Sequence, residues 1–86
     1  MSTQGLSIYH YESCPFCVRV RSAAGRLGLD IELRDVQLVR ERLRELVEAT
    51  GRQTVPCLRI EGESGDVEWM HESREIVRYL EERFAS

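Results

Sequence analysis

The sequence predicts an α/β fold in a single domain ordered βαβαββα, a four-stranded mixed sheet flanked by three helices, and three observations carry that prediction. Between Leu6 and Gly51 the apolar residues switch twice from the period of a strand to the period of a helix. The turn-forming stretch Glu61-Gly62-Glu63-Ser64-Gly65-Asp66 then separates two short β-prone runs, which is a hairpin signal. Finally, Ile76, Val77, Leu80 and Phe84 recur at helical spacing and mark the buried stripe of a last helix.

Each element has its own signal. Leu6-Ser7-Ile8-Tyr9-His10-Tyr11 alternates and is rich in β-formers, predicting the first strand. Pro15 suits a first helical position, Val20, Ala23, Ala24 and Leu27 follow at helical spacing, and Gly28 is placed to end the helix as a left-handed cap. That helix is expected from Pro15 to Leu27. A second strand is expected between Asp30 and Val36, and a strand, helix, strand unit of this length favours parallel pairing with a right-handed crossover. Val39, Leu43, Leu46 and Val47 mark one face of a second helix, with Arg40, Glu41, Arg44, Glu45 and Glu48 outside and Gly51 as its stop. Thr54 to Ile60 reads as a loop feeding a third strand, Val67 to Met70 as the fourth, and Ser73 as the cap of the final helix.

Composition narrows the function classes. At 86 residues the chain is near the lower end of sizes that fold without staples, so one core over residues 1–86 is expected. Its 42% apolar and 31% charged residues suit a globular protein, and no run approaches the ~20 apolar residues of a membrane span. Met1 to Gly5 lack a basic stretch leading into an apolar one, so a cytoplasmic location is expected, without membrane insertion. A net charge of −3, with Arg and Glu interleaved, argues against a nucleic-acid partner. Three cysteines, two close and one remote, do not make a secreted disulfide framework; they point to redox or metal chemistry.

The close pair is the tetrad Cys14-Pro15-Phe16-Cys17, placed between the first strand and the first helix. Unpaired N–H groups and the positive end of the helix dipole stabilise a thiolate there, the form of cysteine that attacks disulfides. Cys14 lies nearest those groups and reads as the nucleophile; Cys17 reads as the resolving or spectator thiol. Glu12 opposes negative charge at Cys14, whereas Arg19 and Arg21 are close enough in sequence to favour it. The bland alternatives are two buried small residues or half of a zinc site, but Cys57, His10 and His71 supply no second close pair at zinc-ribbon spacing. Cys57 reads as a core residue of the third strand, and His10 and His71 as polar residues near strand ends.

The tetrad with Arg19 two residues on, followed by Thr54-Val55-Pro56, resembles the glutaredoxins, whose thioredoxin-like fold has the same element order. The segment from Trp69 to Leu80 looks more like the glutathione-binding N-terminal domain of glutathione transferases, where a Glu-Ser pair opens the last helix. The chain is thus most similar to a glutaredoxin of the transferase-like kind. The resemblance implies a cis-proline at Pro56 and a Val55 backbone that pairs with the cysteinyl part of glutathione. It further implies that Thr54 belongs to the same binding loop, and that Glu72 and Ser73 hold the γ-glutamyl end. Gln53, with Arg52 second, would lie at the glycyl end, and Phe16 would wall the site beside Cys14. The lysine that small glutaredoxins carry shortly before the first cysteine is replaced by Tyr11 and Glu12, leaving Arg19, Arg40 or Arg52 as substitute cations.

The activity implied is glutathione-dependent reduction of protein–glutathione mixed disulfides and protein disulfides, with glutathione as co-substrate and no metal. Partners would be glutathione and glutathionylated or disulfide-containing proteins, and the chain would act as a monomer. The alternatives are an electron donor served by thioredoxin reductase, a zinc or iron–sulfur carrier, and an isolated glutathione-binding domain of a transferase. Transferases have a helical second domain, so conjugation is not expected of residues 1–86 alone.

Overall fold

A computed structural model of the chain describes residues 3–84. The elements run β1 (Leu6–His10), α1 (Pro15–Arg26), β2 (Glu32–Asp35), α2 (Arg40–Thr50), β3 (Cys57–Glu61), β4 (Val67–Met70) and α3 (Ser73–Phe84). The strands form one mixed sheet in the order β2-β1-β3-β4. β1 pairs in parallel with β2, Ile8 opposite Leu33, and antiparallel with β3, Ile8 opposite Leu58. β4 closes the hairpin against β3 with Met70 opposite Leu58. The predicted βαβαββα order is therefore observed, while Met1, Ser2, Ala85 and Ser86 lie outside the described residues.

The sheet is covered on both faces. Leu6, Ile8 and Leu58 pack with Val20 and Ala24 of α1 and with Ile76, Leu80 and Phe84 of α3. On the other face Tyr9 and Cys57 pack with Val36 and with Leu46 of α2. Because β1 is central and both its faces meet helices, all five of its residues are buried, Ser7 and His10 included. The alternation read from the sequence therefore does not leave a wet face; it divides β1 between two cores.

Helix ends follow local chemistry. α1 closes with Gly28 at φ 70°, its N–H donating to the Gly25 carbonyl, while the Leu29 N–H reaches back to Ala24. These are the paired bonds of a Schellman motif, and they turn the chain toward β2. Gly51, at φ 73°, ends α2 with its N–H on the Val47 carbonyl.

Three expectations are corrected in detail. Val39 flanks α2 in an extended conformation, out of phase with the helix, and is 43% exposed; only Leu46 of the predicted stripe is fully buried. Glu45 does not simply face solvent, since it accepts a hydrogen bond from the Tyr9 hydroxyl at 2.9 Å. Ser73 is the first residue of α3 rather than its cap, and the Glu72 carbonyl accepts the first helical bond, from the Ile76 N–H at 2.8 Å.

Candidate functional site

The dithiol stands where β1 hands over to α1. Cys14 is the capping residue of α1, extended at φ −72° and ψ 118°, with Pro15 following it inside the helix. Its sulfur accepts from the Cys17 N–H at 3.3 Å, and the Cys17 thiol also donates toward it. Both donors thus point at the sulfur expected to carry charge. No acidic residue occupies the first turn of α1.

The two cysteines are not equivalent. Cys14 is 4% exposed and lies beside the exposed Phe16, whereas Cys17 is fully buried. Burial, reinforced by the hydrogen bond to Cys14, pushes the Cys17 thiol up to about 12. Cys17 therefore stays protonated at neutral pH, the state of a thiol that waits for a mixed disulfide to form. All three cysteines are free thiols.

Phe16 and Arg19 of α1 face Glu72, Ser73, Arg74 and Glu75 at the start of α3 across an open cavity of about 430 Å³. The N-terminus of α3 presents unpaired backbone N–H groups to this space, suited to a carboxylate. Phe16 is 55% exposed, and the Arg19 guanidinium lies 5.6 Å from its ring centre. The fold thus brings Glu72 and Ser73 to one cavity with Phe16, the tetrad residue between the two cysteines.

The loop from α2 to β3 carries Gln53, Thr54, Val55 and Pro56. The Val55–Pro56 peptide is cis, as the resemblance implied. Val55 leans on the core of Tyr9, Val36, Leu46 and Cys57, while Gln53 and Thr54 are exposed. Gln53 lines a different surface hollow, with Val36, Gln37, Arg40, Leu43, Arg44 and Val47. It is thereby separated from the Phe16 and Glu72 cavity, and Arg40 shares its hollow.

Cys57, next after Pro56, is fully buried, and burial pushes its thiol up to about 12. Its sulfur lies 3.9 Å from His71 Nε2. Trp69 packs on Tyr9, with ring centres 5.5 Å apart, and does not rim the cavity. Among the described residues no three His, Cys, Asp or Glu side chains gather closely enough to hold a metal ion, and no helix is long and apolar enough to cross a membrane.

One polar seam was missed by pattern reading. Arg34 of β2 donates to the Tyr9 hydroxyl at 2.7 Å, Tyr9 donates to Glu45, and Arg42 pairs with Glu45 at 3.1 Å. Burial alone would push the Glu45 carboxyl up; the hydrogen bonds from Tyr9 and Arg42 outweigh it and hold the group below the usual carboxylate range. The i, i+3 spacing of Arg42 and Glu45 was visible in the sequence, but the cross-sheet partners were not.

Fold and dithiol define a class, a thioredoxin-like α/β domain with a cysteine pair at the start of its first helix. The family model described as glutathione S-transferase, N-terminal domain, matches residues 8–86, and the chain belongs to that family. Among solved structures it is similar to TDR1, a trimeric glutathione transferase of Leishmania, at 31% identity and a TM-score of 0.76, covering 93% of this chain and 18% of that one. It is also similar to a maleylacetoacetate isomerase of Anaeromyxobacter dehalogenans with dicarboxyethyl glutathione and citrate bound, at 30% identity and a TM-score of 0.71, covering 92% of this chain and 36% of that one. A Bombyx mori glutathione transferase matches 98% of this chain and 38% of its own at 26% identity and a TM-score of 0.73. The chain thus spans well under half the length of these relatives. A search of the curated proteins returns no match.

Proposed function

We propose that this domain is a glutathione-dependent thiol–disulfide oxidoreductase whose nucleophile is Cys14. The observation that carries the reading is the dithiol itself, with Cys14 capping α1 and receiving the Cys17 N–H at 3.3 Å. Glutathione as the thiol partner is supported by family membership and by the relative that has a glutathione conjugate bound. Glu72 and Ser73 then meet the γ-glutamyl end at the start of α3, and the Val55 backbone beside Pro56 meets the cysteinyl part.

The chemistry proceeds by two exchanges. The Cys14 thiolate attacks the glutathione sulfur of a glutathionylated protein; the mixed disulfide breaks, the protein leaves as a thiolate that takes up a proton, and a Cys14–glutathione disulfide forms. A second glutathione thiolate attacks the glutathione sulfur of that disulfide, regenerating the Cys14 thiolate and departing as oxidised glutathione. In sum the protein–glutathione disulfide and one glutathione thiol become a protein thiol and oxidised glutathione, one half of which is the glutathionyl group carried in by the substrate. For a protein disulfide, Cys17 loses its proton and attacks Cys14, releasing the second protein thiol and leaving a Cys14–Cys17 disulfide for glutathione to reduce. The high Cys17 value makes that step slow until the thiol is deprotonated.

The test is to mix the Cys17→Ser variant with oxidised glutathione and analyse the intact mass. One glutathione adduct, mapped to Cys14, is expected. Absence of an adduct on folded protein, or its appearance on Cys57, would contradict the assignment.

A further inference from the structure

Arg21 lies one helical turn beyond Cys17 and shares with Cys14 and Cys17 the i, i+3, i+7 face of α1. It turns back toward the strand rather than out to water. Its Nη1 lies 2.9 Å from His10 Nδ1 and 3.4 Å from the Tyr11 carbonyl, and its Nη2 lies 3.1 Å from the Glu12 carbonyl. The Glu12 carboxylate is 3.8 Å away, and the Arg21 side chain is 21% exposed. Since guanidinium only donates, His10 Nδ1 is an acceptor here and the ring proton sits on Nε2.

The backbone that Arg21 grips, around Tyr11, is the stretch that frames the dithiol. The Tyr11 carbonyl also accepts the Cys14 N–H at 3.2 Å, and the Tyr11 N–H faces the Cys17 sulfur. Tyr11 thus meets Arg21 and Cys14 through its carbonyl and Cys17 through its N–H, in the two peptides that flank its Cα. Arg19, the other cation expected near the dithiol, is occupied with Phe16 on a different side of α1. Glu12, expected to oppose charge at Cys14, has its carboxylate beside Arg21 instead.

We infer that Arg21 is the positioning residue of the dithiol, a three-pronged clamp on His10, Tyr11 and Glu12 that holds the backbone on both sides of Tyr11 against the two cysteines and sets how readily the pair is oxidised. This rests on reading Cys14 and Cys17 as a redox dithiol. The fixed backbone and the nearby cation favour the reduced, thiolate-bearing form, so loss of the clamp shifts the pair toward its disulfide. The other titratable groups facing the clamp are His10, Asp35 and Glu12. Burial and the Arg21 charge keep His10 below its ordinary value, so it remains an acceptor across neutral pH.

The experiment equilibrates wild type, Arg21→Lys, Arg21→Met and the control Arg26→Met in dithiothreitol redox buffers and reads the disulfide fraction. In parallel, the rate of Cys14 alkylation by iodoacetamide is followed against pH, and thermal midpoints report folding. Arg21→Met is expected to move the dithiol–disulfide equilibrium toward disulfide on the order of tenfold and to shift the alkylation profile to higher pH. Arg21→Lys, which keeps the charge but loses the fork, should fall between, and Arg26→Met should match wild type. Unchanged equilibrium and profile in folded Arg21→Met would overturn the inference; should that variant not fold, wild-type behaviour of Arg21→Lys would overturn it. Neither readout uses glutathione, so failure of the proposed activity would be seen separately.

Discussion

Cys14 and Cys17 are told apart by burial and hydrogen bonding. Cys14 receives two donors at the helix start, whereas Cys17 is sealed beneath it with its thiol pushed up to about 12. Replacing Cys14 by Ser should abolish deglutathionylation, while Cys17→Ser should retain it and lose most protein-disulfide reduction, measured side by side with both substrates. Cys57 is as fully buried as Cys17, in the core of Tyr9, Val36 and Leu46, and should be a slow thiol. In an Ellman titration of reduced native protein it should react only as fast as the protein opens, and at once in denaturant; rapid reaction in the native state would contradict its core placement.

At the scale of elements, α2 decides where the loop from Gln53 to Pro56 lies. The helix is held by the buried Leu46 and by the seam of Tyr9, Arg34, Arg42 and Glu45. Leu46→Ala should cost about 2–5 kcal/mol in urea unfolding, and Tyr9→Phe about 1 kcal/mol, because it strips two hydrogen bonds while keeping the ring. Gly51 ends this helix in the left-handed region with nothing within 4 Å of an added Cβ, so Gly51→Ala should cost only the conformational strain, about 1 kcal/mol. The element order and the dithiol were legible because periodicity and turn chemistry are local. The pairing of Glu45 with Tyr9 was not, since the residues lie 36 positions apart and meet only across the sheet. The same holds for Arg21, whose partners belong to the preceding strand and loop.

For the molecule as a whole, titration links site and stability. His10 is held below its ordinary 6.5 by burial and Arg21, so the unfolded chain takes up that proton first. Its contribution is present above about pH 6.5 and is lost as the pH falls toward the folded-state value. Asp35, stabilised by the Leu38 and Gln37 N–H groups, and Glu45 are also lowered, so theirs persists until the pH falls below the ordinary carboxylate range. Urea midpoints should therefore decline in two stages on acidification, and His10→Gln should remove the first. The four-stranded sheet flanked by three helices was predicted from the sequence; that the helices cover both of its faces comes from the structure. The burial of Ser7 and His10 inside it was hidden, because polar residues on a central strand look like a solvent face until the covering helices are placed.

The central claim is that Cys14 exchanges disulfides with glutathione. The most direct measurement is turnover of a glutathionylated peptide with reduced glutathione and glutathione reductase, run with wild type, Cys14→Ser and Cys17→Ser, and repeated with thioredoxin reductase as donor. Turnover with glutathione that survives in Cys17→Ser and vanishes in Cys14→Ser is the predicted result. Full activity in Cys14→Ser, or turnover with thioredoxin reductase alone, would contradict the account.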